Sequence, residues 1–206
     1  MDAVLFPLPG LILSPGGKIT LNIFEPRYLK MVNDAVASDI PMAIAHASKT
    51  QFSTSVGIPD EGYPFICQDV GYGEVEVIGE SPKGVLIAVN SQGKAHVTRV
   101  EDEANPYIKL ELEPINQNYQ LQPQSEFLYR RIRSLTRERM QKFLKTDAEL
   151  EVVMAQLSDP EKLLAFYIDH ILQGWENKYK LFQLDDINDK LAVLGQMIVG
   201  QQKSLH

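Results

Sequence analysis

Cysteine, tryptophan and histidine are all scarce in this chain: one Cys, one Trp and four His in 206 residues. A lone cysteine, Cys67, forms no internal disulfide, which excludes a small secreted scaffold stapled by disulfides. His46, His96, His170 and His206 show no paired metal-ligand spacing, with each other or with Cys67, so no structural zinc motif is expected. Long apolar runs are missing too. The one stretch that could pass for a leader, Ala3 to Leu13, has no basic flank and is broken by Pro7, Pro9 and Gly10. Neither a secretion signal nor a membrane span is expected, and the expected compartment is the cytoplasm. The net charge of −7 argues against a globally basic nucleic-acid binder. A phosphate loop is absent as well: a glycine five residues before Gly17-Lys18 or Gly93-Lys94 is replaced by Ile12 or Ala88, and no Ser or Thr follows either lysine. No cofactor is expected. Ser48-Lys49 and Lys203-Ser204 are sequence neighbours only, and adjacency does not create the hydrogen-bonded nucleophile and base that covalent catalysis requires.

What remains is ordinary globular material, 44% hydrophobic and 23% charged, in a chain long enough to bury roughly 70% of its unfolded surface. Val4 to Leu8 reads as a strand. So does Lys18 to Phe24, where Ile19, Leu21 and Ile23 alternate with Lys18, Thr20 and Asn22 as a half-buried strand requires. Glu25-Pro26 reads as a helix entry, because proline in the first turn gives up no intrahelical bond, and Tyr28, Met31, Val32, Ala35 and Val36 follow at helical spacing. Pro41 to Ala47 is a further strand, and the polar segment 48–64 is a long loop. Val70 to Ile78, Val85 to Val89, His96 to Val100 and Tyr107 to Glu113 are strands, with turns expected at Ser81 to Gly84 and at Asn90 to Gly93. Gly71-Tyr72-Gly73 marks a tight bend or close packing. Around Pro114 to Pro123 the composition shifts to Asn, Gln and Pro. Beyond it, Ser125 to Lys145 and Ala148 to Leu157 suit helices, Ser158-Asp159-Pro160-Glu161 carries capping-box spacing, and Leu163, Leu164, Phe166, Tyr167, Ile168 and Ile171 turn inward. Asp185 or Asp186 caps a last helix whose Ile187, Leu191, Leu194 and Ile198 form one apolar stripe. That stripe either closes the bundle or pairs two chains into a homodimer. The architecture expected is α+β: a curled β-sheet domain over 1–116 with one helix after its second strand, then a helical bundle over 117–206.

Three groups of residues invite a functional reading. In Glu25-Pro26-Arg27-Tyr28 the position at a strand-to-helix junction favours a structural role, with Glu25 capping or neutralising the helix start and Tyr28 burying its ring. Asp185, Asp186 and Asp189 are better explained by a helix start than by a cation, since carboxylates there are favoured by the dipole. Arg130, Arg131, Arg133, Arg137, Arg139, Lys142 and Lys145 stand against Glu138 alone between positions 130 and 145. A cluster this dense can contact phosphates. The competing reading is a solvated helix paired with acidic surface elsewhere on the same chain, and Phe127, Tyr129 and Phe143 are too few to form a stacking platform for single strands.

The residues Phe6-Pro7-Leu8-Pro9, Leu13-Ser14-Pro15-Gly16, Leu21, Ile23-Phe24-Glu25-Pro26-Arg27-Tyr28 and Met31-Val32 resemble the amino-terminal substrate-recognition domain of the Lon ATP-dependent protease family, in its stand-alone form. Asp159 to Leu163 and Leu184 to Leu191 fit the helical half of that domain. The resemblance implies a PUA-like pseudo-barrel followed by a helical bundle. One departure falls at Asn90 to Val97, where Lys94 takes the basic position and the glycine, Gly93, is displaced. The resemblance implies a module without catalytic residues, because the chain to His206 has no room for the family's ATPase and Ser-Lys peptidase modules. It would bind unfolded or flexible polypeptide segments in protein quality control or proteolysis, with a separate protease or ATPase as partner. The groove between the two halves, or an exposed sheet edge, would take an extended peptide.

The alternative is a nucleic-acid-associated factor using the basic helix on the same scaffold; an independent peptidase has no nominated nucleophile and base. If the junction motif is structural, Tyr28→Ala lowers stability by about 2 kcal/mol and lowers the melting temperature, while folded molecules keep their ligand binding. An unchanged melting temperature with lost binding would make the motif a site instead.

Overall fold

The computed structural model describes residues 1–47, 66–101 and 106–203, with side chains described as far as 200. The expected loop 48–64 falls outside the described residues, as do Ser48, Lys49, Ser204 and His206. The chain divides into two compact units, Met1–Ile115 and Asn116–His206.

In the first unit six strands form one sheet: β1 (Asp2–Leu8), β2 (Lys18–Ile23), β3 (Met42–His46), β4 (Asp69–Ser81), β5 (Gly84–Glu101) and β6 (Lys109–Pro114). Their order is β2-β5-β4-β3-β1-β6, and β5 also pairs with β6, so five strands close into a ring that leaves β2 outside it. β1 runs parallel to β3 and antiparallel to β6. Inside the ring lie Ala3, Leu5, Ala43, Ala45, Ala47, Val70, Ala95, Val100, Leu110 and Leu112. Half of these are alanines, as a narrow barrel interior demands. On the other face Val4, Phe6, Ile44, Ile87, Val89, Ile19 and Ile23 pack with Met31, Val32 and Ala35 of α1 (Pro26–Ser38). β1 is therefore buried on both faces, which explains its unbroken apolar sequence.

The expected turn at Asn90 to Gly93 is not there. β5 is one strand of 18 residues, and those four residues lie within it. Gly73 pairs with Ser91 and Tyr72 with Gly93, leaving Gln92 as the extra residue of a bulge. The polar Asn-Ser-Gln-Gly run has turn composition, but ladder bonds to β4 hold it extended and the irregularity becomes a bend. Gly93 takes φ 156°, in a region that disfavours side chains. The turn at Ser81 to Gly84 is present, with the Ser81 hydroxyl accepting from the Lys83 N–H. At Gly71 a Cβ would lie 1.7 Å from the Leu13 carbonyl oxygen, so glycine lets the segment after β1 lie directly on β4. Cys67 is half-buried.

The second unit holds α2 (Pro123–Met140), α3 (Asp147–Gln156), α4 (Pro160–Phe166) continued by a π turn over Tyr167–Ile171, α5 (Trp175–Gln183) and α6 (Ile187–Lys203). α3 opens on a capping box, Thr146 with Glu149. The cap of α4 is Asp159, whose carboxylate accepts from the Glu161 N–H, and not Ser158. Pro160 forces the preceding residue out of helical geometry, which leaves Asp159 as the last position able to cap. α5 has no counterpart in the sequence reading. Asp186 caps α6 by accepting from the Asn188 N–H at 2.7 Å, and these amide donors hold its carboxyl below the usual range. Ile187, Leu191 and Leu194 are buried and α6 packs on α2, α4 and α5, so the stripe closes the bundle. Among the described residues no helix is long and apolar enough to cross a membrane.

One part-buried polar link fastens α1 to Tyr107, just before β6. Tyr107 donates to Asp34 at 2.6 Å, and Lys30 donates to the same carboxylate at 2.8 Å. Burial, then the Asp34 acceptor, push the Tyr107 hydroxyl up to about 12, while the Lys30 and Tyr107 bonds hold Asp34 below the usual carboxylate range. A tyrosine that keeps its proton more tightly when folded adds stability that is whole below about pH 10, where the unfolded residue titrates. That stability is lost as pH rises through about 12. In urea titrations the difference in midpoint between the protein and Tyr107→Phe should be constant up to about pH 10 and shrink above it; a difference that never shrinks contradicts this link.

Candidate functional site

In the junction motif Tyr28 is half-buried against the core, Glu25 is partly buried, and Pro26 and Arg27 are exposed. Phe6 meets Tyr28 edge-on at 4.7 Å between ring centroids, and the Arg27 guanidinium lies 4.7 Å over the other ring. Burial pushes the Tyr28 hydroxyl up, with Arg27 opposing it. Glu25 sits at the N-cap of α1 but makes no side-chain cap bond. Its carboxylate instead accepts from Arg27 Nε at 3.0 Å and pairs with Nη2 at 2.9 Å. A charge-assisted pairing of this kind outweighs a neutral amide donor. Pro7 and Leu8 complete β1, Pro9 leads into Gly10 at φ 74°, and Pro15-Gly16 form the turn before β2, closed by the Gly17 N–H on the Ser14 carbonyl. Phe24 is a large apolar residue that is 65% exposed, directly after a buried strand end.

That exposed ring belongs to a larger feature. β2 pairs with β5 alone, so among the described residues its other edge has no strand neighbour. The bond from the Ser91 N–H to the Gly17 carbonyl sets the phase of this ladder, with Ile19 opposite Val89, Leu21 opposite Ile87 and Ile23 opposite Val85. In an antiparallel pair such residues exchange bonds with each other, and the residues between them aim their N–H and C=O groups the other way. Lys18, Thr20 and Asn22 therefore present backbone donors and acceptors at an open edge. β4 has β3 beside it only from Gly71 to Gly73, so among the described residues its outer half likewise has no strand on that side. At this end of the sheet Phe24, Val77, Ile78 and Leu86 are all exposed apolar residues. Lys18 and Glu76 form an ion pair at 3.6 Å on the same arm.

The basic cluster divides into cations with protein partners and cations without an ion pair. Arg130 binds Glu126 within α2, Arg137 binds Glu151 of α3, and Arg133 donates to the Met154 carbonyl. Arg131, Arg139, Lys142 and Lys145 are exposed and form no ion pair among the described residues. His46 accepts the Gly10 N–H on Nδ1 at 2.7 Å, His96 pairs with Asp69 at 2.9 Å, and His170 lies against Phe166. Among the described residues no group of three or more His, Cys, Asp or Glu is placed to hold a metal. An exposed sheet edge was expected from the sequence, but not which strand supplies it; the one local signal is the Lys-Thr-Asn polar face of β2 beside Phe24.

One unit of the chain is a closed five-strand ring with a helix on its outer face, and the other is a helical bundle. The chain belongs to the family of the ATP-dependent protease La (LON) substrate-binding domain, whose family model matches residues 2–200. Among solved structures it is similar to the N-terminal domain of the Mycobacterium avium complex Lon protease, with TM-score 0.67 and 13% identity, covering 94% of this chain and 96% of that one. It is also similar to a Lon N-terminal domain protein from Xanthomonas campestris, with TM-score 0.62 and 20% identity, again covering 94% and 96%. At these identities the likeness speaks for the fold. No curated protein sequence matches significantly. The matched family model describes a substrate-binding domain, not a catalytic one.

Proposed function

We propose that this protein is a binding module without catalytic activity that takes up extended, unfolded segments of other polypeptides along the open edge of β2. The observation that carries this reading is the phase of the β2–β5 ladder, which turns the backbone groups of Lys18, Thr20 and Asn22 outward beside the exposed Phe24. An added strand recognised through backbone groups is read without regard to its sequence, and alternate side chains find apolar contacts. That is the selectivity a domain for unfolded substrates needs.

Magnitudes say how tight the binding is. Three outward residues offer about six hydrogen bonds at about 1 kcal/mol each, against an association cost of about 4–15 kcal/mol. Backbone pairing alone offsets only the low end of that cost. Burying the Phe24 ring adds about 2 kcal/mol, so clients must be both extended and apolar, and their binding is weak and reversible. Such a module serves as a receiver in the cytoplasm, passing segments to a separate ATPase or protease. The nucleic-acid reading of the basic helix has less support, since Arg130 and Arg137 are engaged by carboxylates of their own unit.

Thr20→Pro removes one outward N–H without breaking a bond to β5, the position at which an edge strand tolerates proline. With a fluorescent, reduced and carboxymethylated α-lactalbumin as probe, this variant and Phe24→Ser should each bind roughly tenfold more weakly, at an unchanged melting temperature. Wild-type affinity in both variants would overturn the proposal.

A further inference from the structure

The open edge of β2 has a property that a client does not require: it is complementary to itself. Two copies of this chain related by a two-fold axis present the same edge to each other, running antiparallel. With Thr20 on the axis, Thr20 faces Thr20 of the second copy, Lys18 faces Asn22, and Asn22 faces Lys18. These are the three residues of β2 whose backbone groups point away from β5. Each outward N–H and C=O of one copy therefore meets its counterpart in the other. Ile19 falls opposite Leu21 on the face that packs with α1, which continues the apolar row of each copy.

The side chains permit this register and resist its neighbours. Two threonines make a favourable cross-strand pair. Lys18 is the one charged residue of β2, and it faces a neutral amide. The two lysines stand about 13 Å apart along the strands, beyond the screening length of about 8 Å in physiological salt, and each is paired with Glu76 of its own copy. Past the strand ends, the exposed Phe24 comes opposite Gly16 and Ile23 opposite Gly17, where no side chain obstructs them. Moving the axis to Ile19 or Leu21 carries one of the three outward residues beyond the end of the facing strand. Moving it to Lys18 sets lysine against lysine. Moving it to Asn22 places Pro26, which has no N–H to give, opposite Lys18.

We infer that this edge caps itself: two copies pair β2 with β2, antiparallel about Thr20, and withhold the edge from clients while they are paired. A strip of six residues is far smaller than the roughly 1,200 Å² of a stable interface, so the pairing is reversible and forms at high protein concentration. A client then competes with the second copy for the same backbone groups. The pairing stands on the register alone, whereas its competition with clients rests on the function proposed above.

The test uses the full chain with Cys67→Ala, which removes the native thiol, carrying either Thr20→Cys or Asn22→Cys. Across a bonded antiparallel pair the Cα atoms are about 5.5 Å apart, within reach of a disulfide, while the two Asn22 positions are about 13 Å apart. With copper phenanthroline as oxidant, Thr20→Cys should form linked dimers at least about tenfold faster than Asn22→Cys; equal rates overturn the inference. Sedimentation of the wild-type protein at up to about 1 mM should show monomer and dimer in equilibrium, with the dimer roughly tenfold weaker in Thr20→Pro; a monomer throughout overturns it equally. Adding reduced and carboxymethylated α-lactalbumin should slow the linking of Thr20→Cys. Linking that proceeds unchanged while the polypeptide is bound overturns the competition and moves clients to another surface, with the pairing intact. Polypeptide binding with no preference for linking at position 20 overturns the pairing and leaves the client reading standing.

Discussion

The hydrogen-bond ladder of β5 is the constraint on which the first unit depends, because one strand of 18 residues serves three neighbours. Its first half pairs with β2 and β4, its second half with β4 and β6, and the bulge at Gln92 with Gly93 at φ 156° lies where the second set takes over. Bending a single strand closes the ring without a free edge at β6. The same bend carries the N-terminal half of β5 out of the ring, where β2 covers one of its sides and is itself covered on one side only. The closed core and the open edge have a single cause. A closed ring of five strands is narrow enough that alanines fill much of its interior beside Leu5, Leu110 and Leu112, and a second core of larger side chains is buried on the outside, against α1.

That division explains why the opening segment is so constrained. β1 is enclosed between the ring interior and the α1 layer, and Phe6 sets the position of Tyr28 at the start of α1. Pro26 and the Glu25–Arg27 pair fix where the helix begins. Of the apolar rings in the junction, Phe24 stands largely in solvent while Tyr28 is half-buried, a placement with no packing benefit of its own. In the second unit, buried polar contacts do comparable work: Asn188 accepts from the Gln122 N–H and donates to the Gln120 carbonyl, tying the segment before α2 to the start of α6.

Much of this was legible in the sequence where the signal is local. The alternation from Lys18 to Ile23, the Glu25-Pro26 entry and the spacing of Ile187, Leu191 and Leu194 are properties of neighbouring residues, and each corresponds to an element found. Non-local properties were not. Asn90 to Gly93 has the composition of a turn and is held in a bulged strand by its ladder with β4. Asp159 replaces Ser158 as a cap because of a proline one residue later, a rule that was visible and not applied. α5, with Trp175, Lys178 and Lys180 among its nine residues, has a mixed face that no simple period separates from loop. The density of Arg130 to Lys145 was evident, but its partial neutralisation by Glu151 depends on how α3 packs against α2. The open edge of β2 is the extreme case, since an edge is defined by a strand that is not there.

The central claim is that a client pairs with the outward groups of β2, and amide hydrogen exchange reads those groups directly. With a saturating unfolded polypeptide bound, the amides of Lys18, Thr20 and Asn22 should exchange at least about tenfold more slowly, while those of Ile19 and Leu21, already bonded to β5, change little. Protection that skips these three amides while the polypeptide is demonstrably bound would contradict the account.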